Sequence, residues 1–399
     1  MTVFAYAKEN ASKLFRQPEG QLNHPFIVPG ATYQKELWDW DSWLTDVALC
    51  QVSDEDLSQL QQGCILNFLD HMDADGRMPI MISPAKTFPR ILDLSTNCHK
   101  PCLAQHAAFI VQQSGDISWL APHFEKLQRF ARSYMTHQRH QCGLYFFIDD
   151  FAIGVDNDPA IFYRPHRSSG SIYLNCLMYK ELQAVVYLGE KLGVDVSEFA
   201  AEAENLCTAI RTHCYDEKDG MYYSVDLNLL PVDPDQWLHK GAPRHWDCLI
   251  QRIGSWSGFM AMWAGVATPE QAERMVKENL LDEKAFWGKC GVRSLSKYEK
   301  MYRVQKSGNP SCWLGPVWGI GNYMVFRGLL RYGFTAEAKD LAEKTVAMFH
   351  RDLQEYGQFH EYYDPDTTLP VHNPGFQSWN LLGANMEVWL DGSTPVTEF

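Results

Sequence analysis

Residues 216–226, DEKDGMYYSVD, show the pattern that decides the fold. A stretch of helical periodicity runs into this segment, an acidic turn ends at Gly220, and a short aromatic run follows. Apolar residues at three- and four-residue intervals indicate an amphipathic helix, and glycine beside acidic residues marks a turn. The segment therefore predicts a helix, a tight turn and a short strand in succession.

The same kind of turn occurs five times along the chain. Its glycines are Gly76, Gly143, Gly220, Gly291 and Gly357, which lie 66 to 77 residues apart. A period of this length is too long for the common solenoid repeats but holds two helices and their loops. Six such pairs closed into a ring would explain both the period and the 399 residues. An open helical array would explain the period as well.

Between the turns, the helical pattern is clearest in residues 61–72, 173–193, 199–215 and 335–353. Strand signals are short and follow the turns, in residues 144–150 and 221–226. The chain contains no low-complexity linker. We therefore expect an all-α protein, an (α/α)6 barrel (toroid) with short β-hairpins at the rim of the active site. It would form a single catalytic domain over residues 1–399.

Composition excludes several classes of function. The formal net charge of -14 leaves no basic footprint for nucleic acid, and an acidic surface does not favour anionic membranes. No apolar run is long enough for a transmembrane helix or a signal-peptide core. The 11 cysteines are scattered, without a disulfide framework or zinc-site spacing. We expect a cytoplasmic protein that binds neither nucleic acid nor membrane, and the sequence leaves open whether it forms a homo-oligomer.

An unusual cluster lies in residues 29–43, PGATYQKELWDWDSW. Trp38, Trp40 and Trp43 alternate there with Asp39 and Asp41. Aromatic rings cover the apolar faces of sugars, and carboxylates accept hydrogen bonds from their hydroxyls, so the cluster fits a sugar pocket. It fits a helix start equally well, with an aspartate as the cap and the tryptophans in the core.

Two acidic loops follow corresponding turns of the repeat. Residues 149–159, DDFAIGVDNDP, contain four aspartates, and residues 359–365, FHEYYDP, place Glu361 among aromatic side chains. If the helix pairs close into a ring, both loops meet at one rim. Two carboxyl groups across a pocket are what glycoside hydrolysis requires, and burial among aromatic rings would raise the pKa of one of them. A solvated loop or a cation site near Asp150 stays open from the sequence, although an EF-hand is excluded by the spacing.

Taken in order, these segments resemble the trehalase-like clan of (α/α)6-barrel glycosidases, closest to bacterial members of glycoside hydrolase family 63. Residues 29–43 are similar to its N-terminal signature. Residues 154–159, GVDNDP, resemble its glycine-x-aspartate-asparagine-serine-proline motif, with Asp158 in place of the serine. Residues 361–365, 313–318 with the downstream Asn322 and Tyr323, and 375–379 resemble three further motifs. The matches cover residues 29 to 383, nearly the whole chain.

The resemblance implies an inverting α-glycosidase with Asp156 as general acid and Glu361 as general base. It implies carboxyl groups roughly 6.5–9.5 Å apart, no cofactor and no metal. It also makes Trp40 and Asp41 binders of the glycone, supported by Gln105 and the backbone near Gly154. The remaining residues that we expect to bind the sugar are Tyr33, Trp38, Arg164, Trp313, Trp318, Tyr362, Gln377 and Trp379.

The substrate is less defined than the reaction. A small intracellular α-glucoside or α-mannoside is expected, such as trehalose, glucosylglycerate or mannosylglycerate. Lys100, Arg164, His166 and Arg167 would suit an anionic aglycone. Two alternatives remain: a sugar epimerase on the same barrel, which would need a pair of histidine bases, and a non-enzymatic helical scaffold. The first lacks a recurrent histidine placement, and the second leaves the tryptophan cluster unexplained.

Overall fold

The computed structural model describes residues 1–233, 235–238, 240–242 and 244–399. Within these residues the chain is rich in helix. The α-helices are α1 (Val3–Asn10), α2 (Asp39–Val52), α3 (Ser58–Asp70), α4 (Leu103–Ser114), α5 (Phe124–His137), α6 (Ile172–Leu192), α7 (Ser197–His213), α8 (Met260–Trp263), α9 (Pro269–Arg274), α10 (Gly319–Arg331), α11 (Thr335–Tyr356) and α12 (Gly383–Leu390).

Short antiparallel strands connect the helices in small sheets of two or three. The strands are β1 (Phe15–Arg16), β2 (Phe26–Ile27), β3 (Leu37–Trp38), β4 (Met81–Ile82), β5 (Thr87–Phe88), β6 (Ser169–Gly170), β7 (Tyr215–Asp216), β8 (Met221–Tyr222), β9 (Val225–Asp226), β10 (Leu249–Ile250), β11 (Val317–Trp318), β12 (Tyr362–Tyr363) and β13 (Pro370–His372). Their orders are β1-β2, β3-β4-β5, β10-β9-β6, β7-β8 and β11-β12-β13. In this part of the chain, no helix is long and apolar enough to span a bilayer.

The helix predictions are confirmed, since the four expected segments coincide with α3, α6, α7 and α11. The strands expected in residues 221–226 are confirmed as β8 and β9. The strand expected in residues 144–150 is wrong, because only Tyr145 forms an isolated bridge, to Arg139. Side-chain amides take the place of a neighbouring strand there. Asn175 bonds both backbone polar groups of Tyr145, and Asn97 Oδ1 accepts from the backbone N–H of Ile148.

The even-numbered helices contact one another in order. Helix α2 contacts α4, α4 contacts α6, α6 contacts α8, α8 contacts α10, α10 contacts α12, and α12 contacts α2. Helices α2, α4 and α10 bury almost every residue, whereas α7 and α11 expose one face. The amphipathic odd-numbered helices pack against this inner set: α3 on α4, α7 on α6, α11 on α10, and α1 on α12.

Several strands lead directly into inner helices. β3 precedes α2, β6 precedes α6, and β11 precedes α10. Each strand therefore places its last residues at the N-terminal end of a buried helix. The tryptophan cluster at the start of α2 and Trp318 at the start of α10 take their positions from this arrangement.

Glu387 joins the first and last parts of the chain. Its carboxylate accepts from the backbone N–H groups of Val3 (2.9 Å) and Phe4 (2.8 Å) at the start of α1, and it also bonds His350 of α11. A carboxylate at a helix N-terminus satisfies free N–H groups and favours the helix dipole.

We predict that Glu387→Ala lowers the free energy of unfolding by about 1–2 kcal/mol, because it leaves these N–H groups without a partner. Urea denaturation measures the change. The control is Glu343→Ala, which removes an exposed carboxylate 3.8 Å from Lys339 on α11 and should cost less than about 0.5 kcal/mol. Equal losses in the two variants would contradict the capping role.

Candidate active site

A cavity of about 560 Å³ lies where the N-terminal ends of the inner helices meet. Residues from distant parts of the sequence form its wall, including those at the starts of α2 and α10. Ten of the expected site residues line it: Tyr33, Trp38, Trp40, Asp41, Gly154, Asp156, Trp313, Trp318, Glu361 and Trp379.

Tryptophan rings form much of the wall. Trp313 stacks on Trp318 with ring centroids 4.1 Å apart and planes 6° apart. Trp40 approaches Trp313 at 6.1 Å and Trp379 at 5.1 Å. The indole nitrogens of Trp313 and Trp379 are buried without a hydrogen-bond partner. Flat apolar faces with a few polar atoms between them are suited to binding a sugar.

The tryptophan cluster lies at the start of α2, but the expected aspartate cap is wrong, because the N-cap is Trp38 and no side chain caps the helix. Asp39 is the first residue of the helix, and Trp43 is completely buried in the core. Asp39 also forms a buried ion pair with Lys100, with 2.7 Å between Oδ1 and Nζ. The Lys100 ammonium lies 5.1 Å from the ring centroid of Trp40. The helix start therefore fixes Trp40 on the cavity wall.

Asp41 is a buried carboxyl group of the cavity. Its Oδ1 accepts from the Ser378 hydroxyl at 2.9 Å. Burial raises the pKa of Asp41 to about 8, against the opposing effect of the Ser378 hydrogen bond. The raised pKa favours the protonated form of Asp41, which can donate one hydrogen bond as well as accept them.

Asp156 lies in a loop whose backbone has unusual conformations. Gly154 has φ +90 and Asn157 has φ 54, both in the left-handed region. The Asn157 side chain donates to Ser311 O (2.9 Å) and accepts from Trp313 N (3.1 Å), which fastens the loop to the opposite wall. Burial raises the pKa of Asp156, although hydrogen bonds, including one from Asn309 (3.3 Å), oppose the shift.

Asp158 occupies the position at which the sequence departs from the family motif. Its Oδ1 accepts from the backbone N–H of Ala160 at 3.0 Å, so it caps the turn after the loop. Burial raises its pKa to about 6. Asp158 therefore supplies a hydrogen-bond acceptor at the position where the family motif has serine.

Glu361 lies immediately before β12. Its backbone N–H donates to His372 O at 2.9 Å, and its Oε2 accepts from Asn373 Nδ2 at 2.9 Å. Burial, together with the charge of Asp156, raises the pKa of Glu361 to about 7. Asp156 is therefore close enough to Glu361 for its charge to act on the ionisation of Glu361.

Four expected sugar-binding residues lie outside the cavity lining. Gln105 is completely buried and donates to the carbonyls of Pro101 and Leu177. Arg164 forms an ion pair with Asp226 at 2.6 Å.

The other two are held by neighbouring backbone. The buried Tyr362 donates to Pro310 O at 2.6 Å, so it supports the segment beneath Trp318 instead of facing the sugar. Gln377 is buried beside Pro29, whose carbonyl accepts from its backbone N–H. Both residues therefore form a hydrogen bond with a backbone carbonyl of the protein.

Among the cations considered for an anionic aglycone, only Lys100 lines the cavity. His166 and Arg167 are exposed, and Arg167 donates to Leu94 O. The residues that the structure describes contain no group of three or more histidine, cysteine, aspartate or glutamate side chains that could hold a metal ion.

The sequence analysis missed several residues of the site. Asn309, Ser307 and Phe88 line the cavity, and Asn373 holds Glu361. Residues 305–312 belong to a polar loop with Gly and Pro but without a recognisable motif. Only the fold brings this loop to Asp156.

Solved structures share the fold. One is a family 63 mannosylglycerate hydrolase from Thermus thermophilus in complex with glucose, with a TM-score of 0.73, 20% identity and coverage of 95% of this chain and 99% of that one. Another structure of that enzyme, with Tris and D-glycerate, has a TM-score of 0.70, 19% identity and coverage of 97% and 99%. The chain therefore shares the fold of these structures.

Sequence comparison identifies the family. A family model described as the mannosylglycerate hydrolase MGH1-like glycoside hydrolase domain matches residues 33–379. Mannosylglycerate hydrolase MGH1 of Selaginella moellendorffii is 23% identical, over 98% of this chain and 86% of its own length. A cytosolic neutral trehalase of Emericella nidulans is 22% identical, over 92% of this chain and 56% of its own. The chain belongs to the MGH1-like glycoside hydrolase family, and the resemblance to family 63 and the trehalases is confirmed.

Gly154 leaves space for Trp40. A Cβ atom at residue 154 would lie 2.9 Å from Trp40 Cζ2. We predict that Gly154→Ala displaces the indole ring and lowers kcat/KM by about ten- to a hundredfold.

The matched control is Gly115→Ala. Gly115 has a similar φ of +73 at the end of α4, but a Cβ atom there meets nothing within 4 Å. Both variants should lose about 1 kcal/mol of stability from backbone strain, and only the first should lose activity. Steady-state kinetics and urea unfolding measure the two effects. Unchanged kcat/KM in Gly154→Ala would show that Trp40 does not depend on this contact.

Proposed function

We propose that the protein is an inverting α-glycosidase in which Asp156 is the general acid and Glu361 the general base. The observation that carries the proposal is the pairing of these two carboxyl groups in one tryptophan-walled cavity, each with a raised pKa. Glycosidases use one protonated and one ionised carboxyl group on opposite sides of the scissile bond. The motif around each residue assigns its role.

The reaction proceeds by a single displacement. Asp156 donates its proton to the glycosidic oxygen as the bond to the anomeric carbon breaks. Glu361 removes a proton from a water molecule that attacks that carbon from the opposite face, so the anomeric configuration inverts. A separation of roughly 6.5–9.5 Å between the carboxyl groups leaves room for the water. Two interacting carboxyl groups titrate in two steps, and between those steps the pair holds one proton. In the productive form, that proton is on Asp156.

The proposed architecture is a single (α/α)6-barrel catalytic domain over residues 1–399. The closed series of contacts among α2, α4, α6, α8, α10 and α12 supports it, and the odd-numbered helices would form the outer ring. The short sheets β3-β4-β5 and β11-β12-β13 would then lie at the rim, beside Trp38 and Glu361.

The proposed substrate is a small α-glucoside or α-mannoside. The names of the relatives, mannosylglycerate hydrolase and trehalase, support this size and linkage. We also propose a cytoplasmic location, supported by the relative named as a cytosolic trehalase and by eleven free cysteines. An epimerase with paired histidine bases is not supported, because no histidine of the described residues lines the cavity.

The experiment that tests the function is hydrolysis of α-glucosides and α-mannosides, followed by NMR of the first sugar released. A β-anomer released from an α-glycoside supports inversion. Initial release of the α-anomer would exclude the mechanism, and isomerisation without cleavage would favour the epimerase.

Amide variants separate the roles of the two carboxyl groups. We predict that Asp156→Asn loses at least about a hundredfold in kcat on an unactivated α-glycoside but keeps activity on the matching α-glycosyl fluoride. Fluoride leaves without protonation, so it does not need the general acid. Glu361→Gln should lose activity on both substrates, because water still needs a base.

The control for this comparison is Asp158→Asn in the same loop. Its amide oxygen can still accept from Ala160, so both activities should be retained. The same loss on both substrates in Asp156→Asn would contradict the assignment of the acid.

The pH profile should show the ionisation of Glu361. The base works only when ionised, so with its pKa raised to about 7 the rate rises as pH increases through 7. Asp156 works only when protonated, and burial raises its pKa in the direction that this role needs. Asn373 donates to the ionised Glu361 and lowers its pKa, so Asn373→Gly should move the acidic limb upward by about one pH unit.

Glycine suits this position because Asn373 has φ 53. The measurement is kcat/KM against pH for the wild type and the variant. Movement of the acidic limb to lower pH would contradict the contact between Asn373 and the base.

A further inference from the structure

We propose that the aglycone of the natural substrate is an uncharged polyol or sugar, and that the cavity discriminates against glycosides of a carboxylate such as glycerate. This inference rests on the proposed function and names its substrate class. It separates this chain from the relatives whose names refer to mannosylglycerate. The charges and the aromatic side chains of the cavity carry it.

The charged groups of the cavity are predominantly acidic. Asp41, Asp150, Asp156 and Glu361 line it, and Lys100 is the single cation among its lining residues in the described part of the chain. Four carboxyl groups therefore face one ammonium group, and that ammonium is already paired with Asp39. A carboxylate that enters this cavity therefore meets like charges at short range, which is unfavourable where little water screens them.

Lys100 is not available to an incoming anion. Its ammonium forms an ion pair with Asp39 at 2.7 Å, and both side chains are almost completely buried. The Lys100 backbone N–H donates to the other oxygen of Asp39 at 2.9 Å, which fixes the pair. Recruiting the lysine to a substrate carboxylate would leave Asp39 buried without its partner, at a large cost.

The neighbouring cations are also committed elsewhere. Arg164 pairs with Asp226, and Arg167 donates to Leu94 O on the outer surface. Lys306 precedes Ser307 of the cavity lining, but its ammonium contacts His372 Nδ1 at 3.4 Å. Recognition of a carboxylate usually involves arginine or lysine with free donors, and no lining residue of the described chain offers one.

The leaving-group side of the cavity suits an uncharged ring or polyol. Asp156 protonates the leaving oxygen, so the aglycone lies beside its loop, which also carries Asp150 and Phe151. Phe151 is 64% exposed and meets Phe88 edge to face at 5.2 Å, and Phe162 lines the same cavity. The phenyl rings can cover the C–H face of an aglycone while Asp150 accepts a hydrogen bond from its hydroxyl.

Two substrates that differ in a single group test the proposal. α-Glycosylglycerol and α-glycosylglycerate with the same glycone differ only in a hydroxymethyl group in place of a carboxylate. We expect kcat/KM for the glycerol glycoside to exceed that for the glycerate glycoside by at least about tenfold, since a desolvated like charge costs at least that factor. Equal values, or a preference for the glycerate glycoside, overturn the proposal.

Variants of Asp150 identify the source of the discrimination. Asp150→Asn should bring the ratio of the two kcat/KM values closer to one. Asp150→Lys should bring it still closer or reverse the preference, mainly by lowering KM for the glycerate glycoside. Lys306→Ala is the control and should leave the ratio unchanged. A selective loss of glycerate-glycoside hydrolysis in Lys306→Ala would show that this lysine binds a carboxylate, which contradicts the proposal.

Failure of the proposed function gives a different result. If no α-glycoside is hydrolysed under any condition, the glycosidase assignment fails. Calorimetric titration of the wild-type protein with the same two glycosides then still measures selectivity. Tighter binding of the glycerol compound supports an uncharged ligand, whereas tighter or equal binding of the glycerate compound overturns the inference independently of catalysis.

Discussion

The ion pair between Asp39 and Lys100 is the constraint on which the site depends. Both side chains are removed from water, so each charge needs the other, and loss of one partner of such a pair typically costs about 3–5 kcal/mol. The pair connects the start of α2 to the segment before α4, two neighbours of the inner set of helices. It fixes Trp40 beside the lysine and gives the cavity one positive charge that does not depend on a ligand.

The pKa values of the other carboxyl groups depend on their burial around the lysine of the cavity lining. Burial raises the pKa of Asp41, Asp156 and Glu361, and the charge of Asp156 adds to the shift of Glu361. Their hydrogen bonds come from neutral donors, Ser378, Asn309 and Asn373. A neutral donor stabilises an ionised carboxylate less than a cation would, so these hydrogen bonds do not cancel the effect of burial. The carboxyl groups keep the raised pKa values that acid–base catalysis requires.

Local sequence patterns predicted the helices and the turns well, because amphipathic periodicity and glycine turns are local properties. Most of the residues that were expected from the family motifs lie together in the cavity lining. Gln105 and Arg164 lie outside the cavity lining, and their polar contacts go to groups distant in sequence, such as Leu177 and Asp226. Asn373 could not be predicted, because its role depends on the pairing of β12 with β13, which brings it to Glu361.

The fold and the loops contribute differently to specificity. The inner helices place Trp40, Asp41 and Trp318 at their N-terminal ends, so the part of the cavity that would hold the glycone is built on rigid elements. The aglycone side consists of connecting segments that carry Asp150 and Phe151, and such segments vary in sequence at little cost to the fold. Changes in such segments can alter the preferred aglycone while the helices stay the same. Membership of a family of mannosylglycerate hydrolases is thus compatible with an uncharged aglycone in this protein.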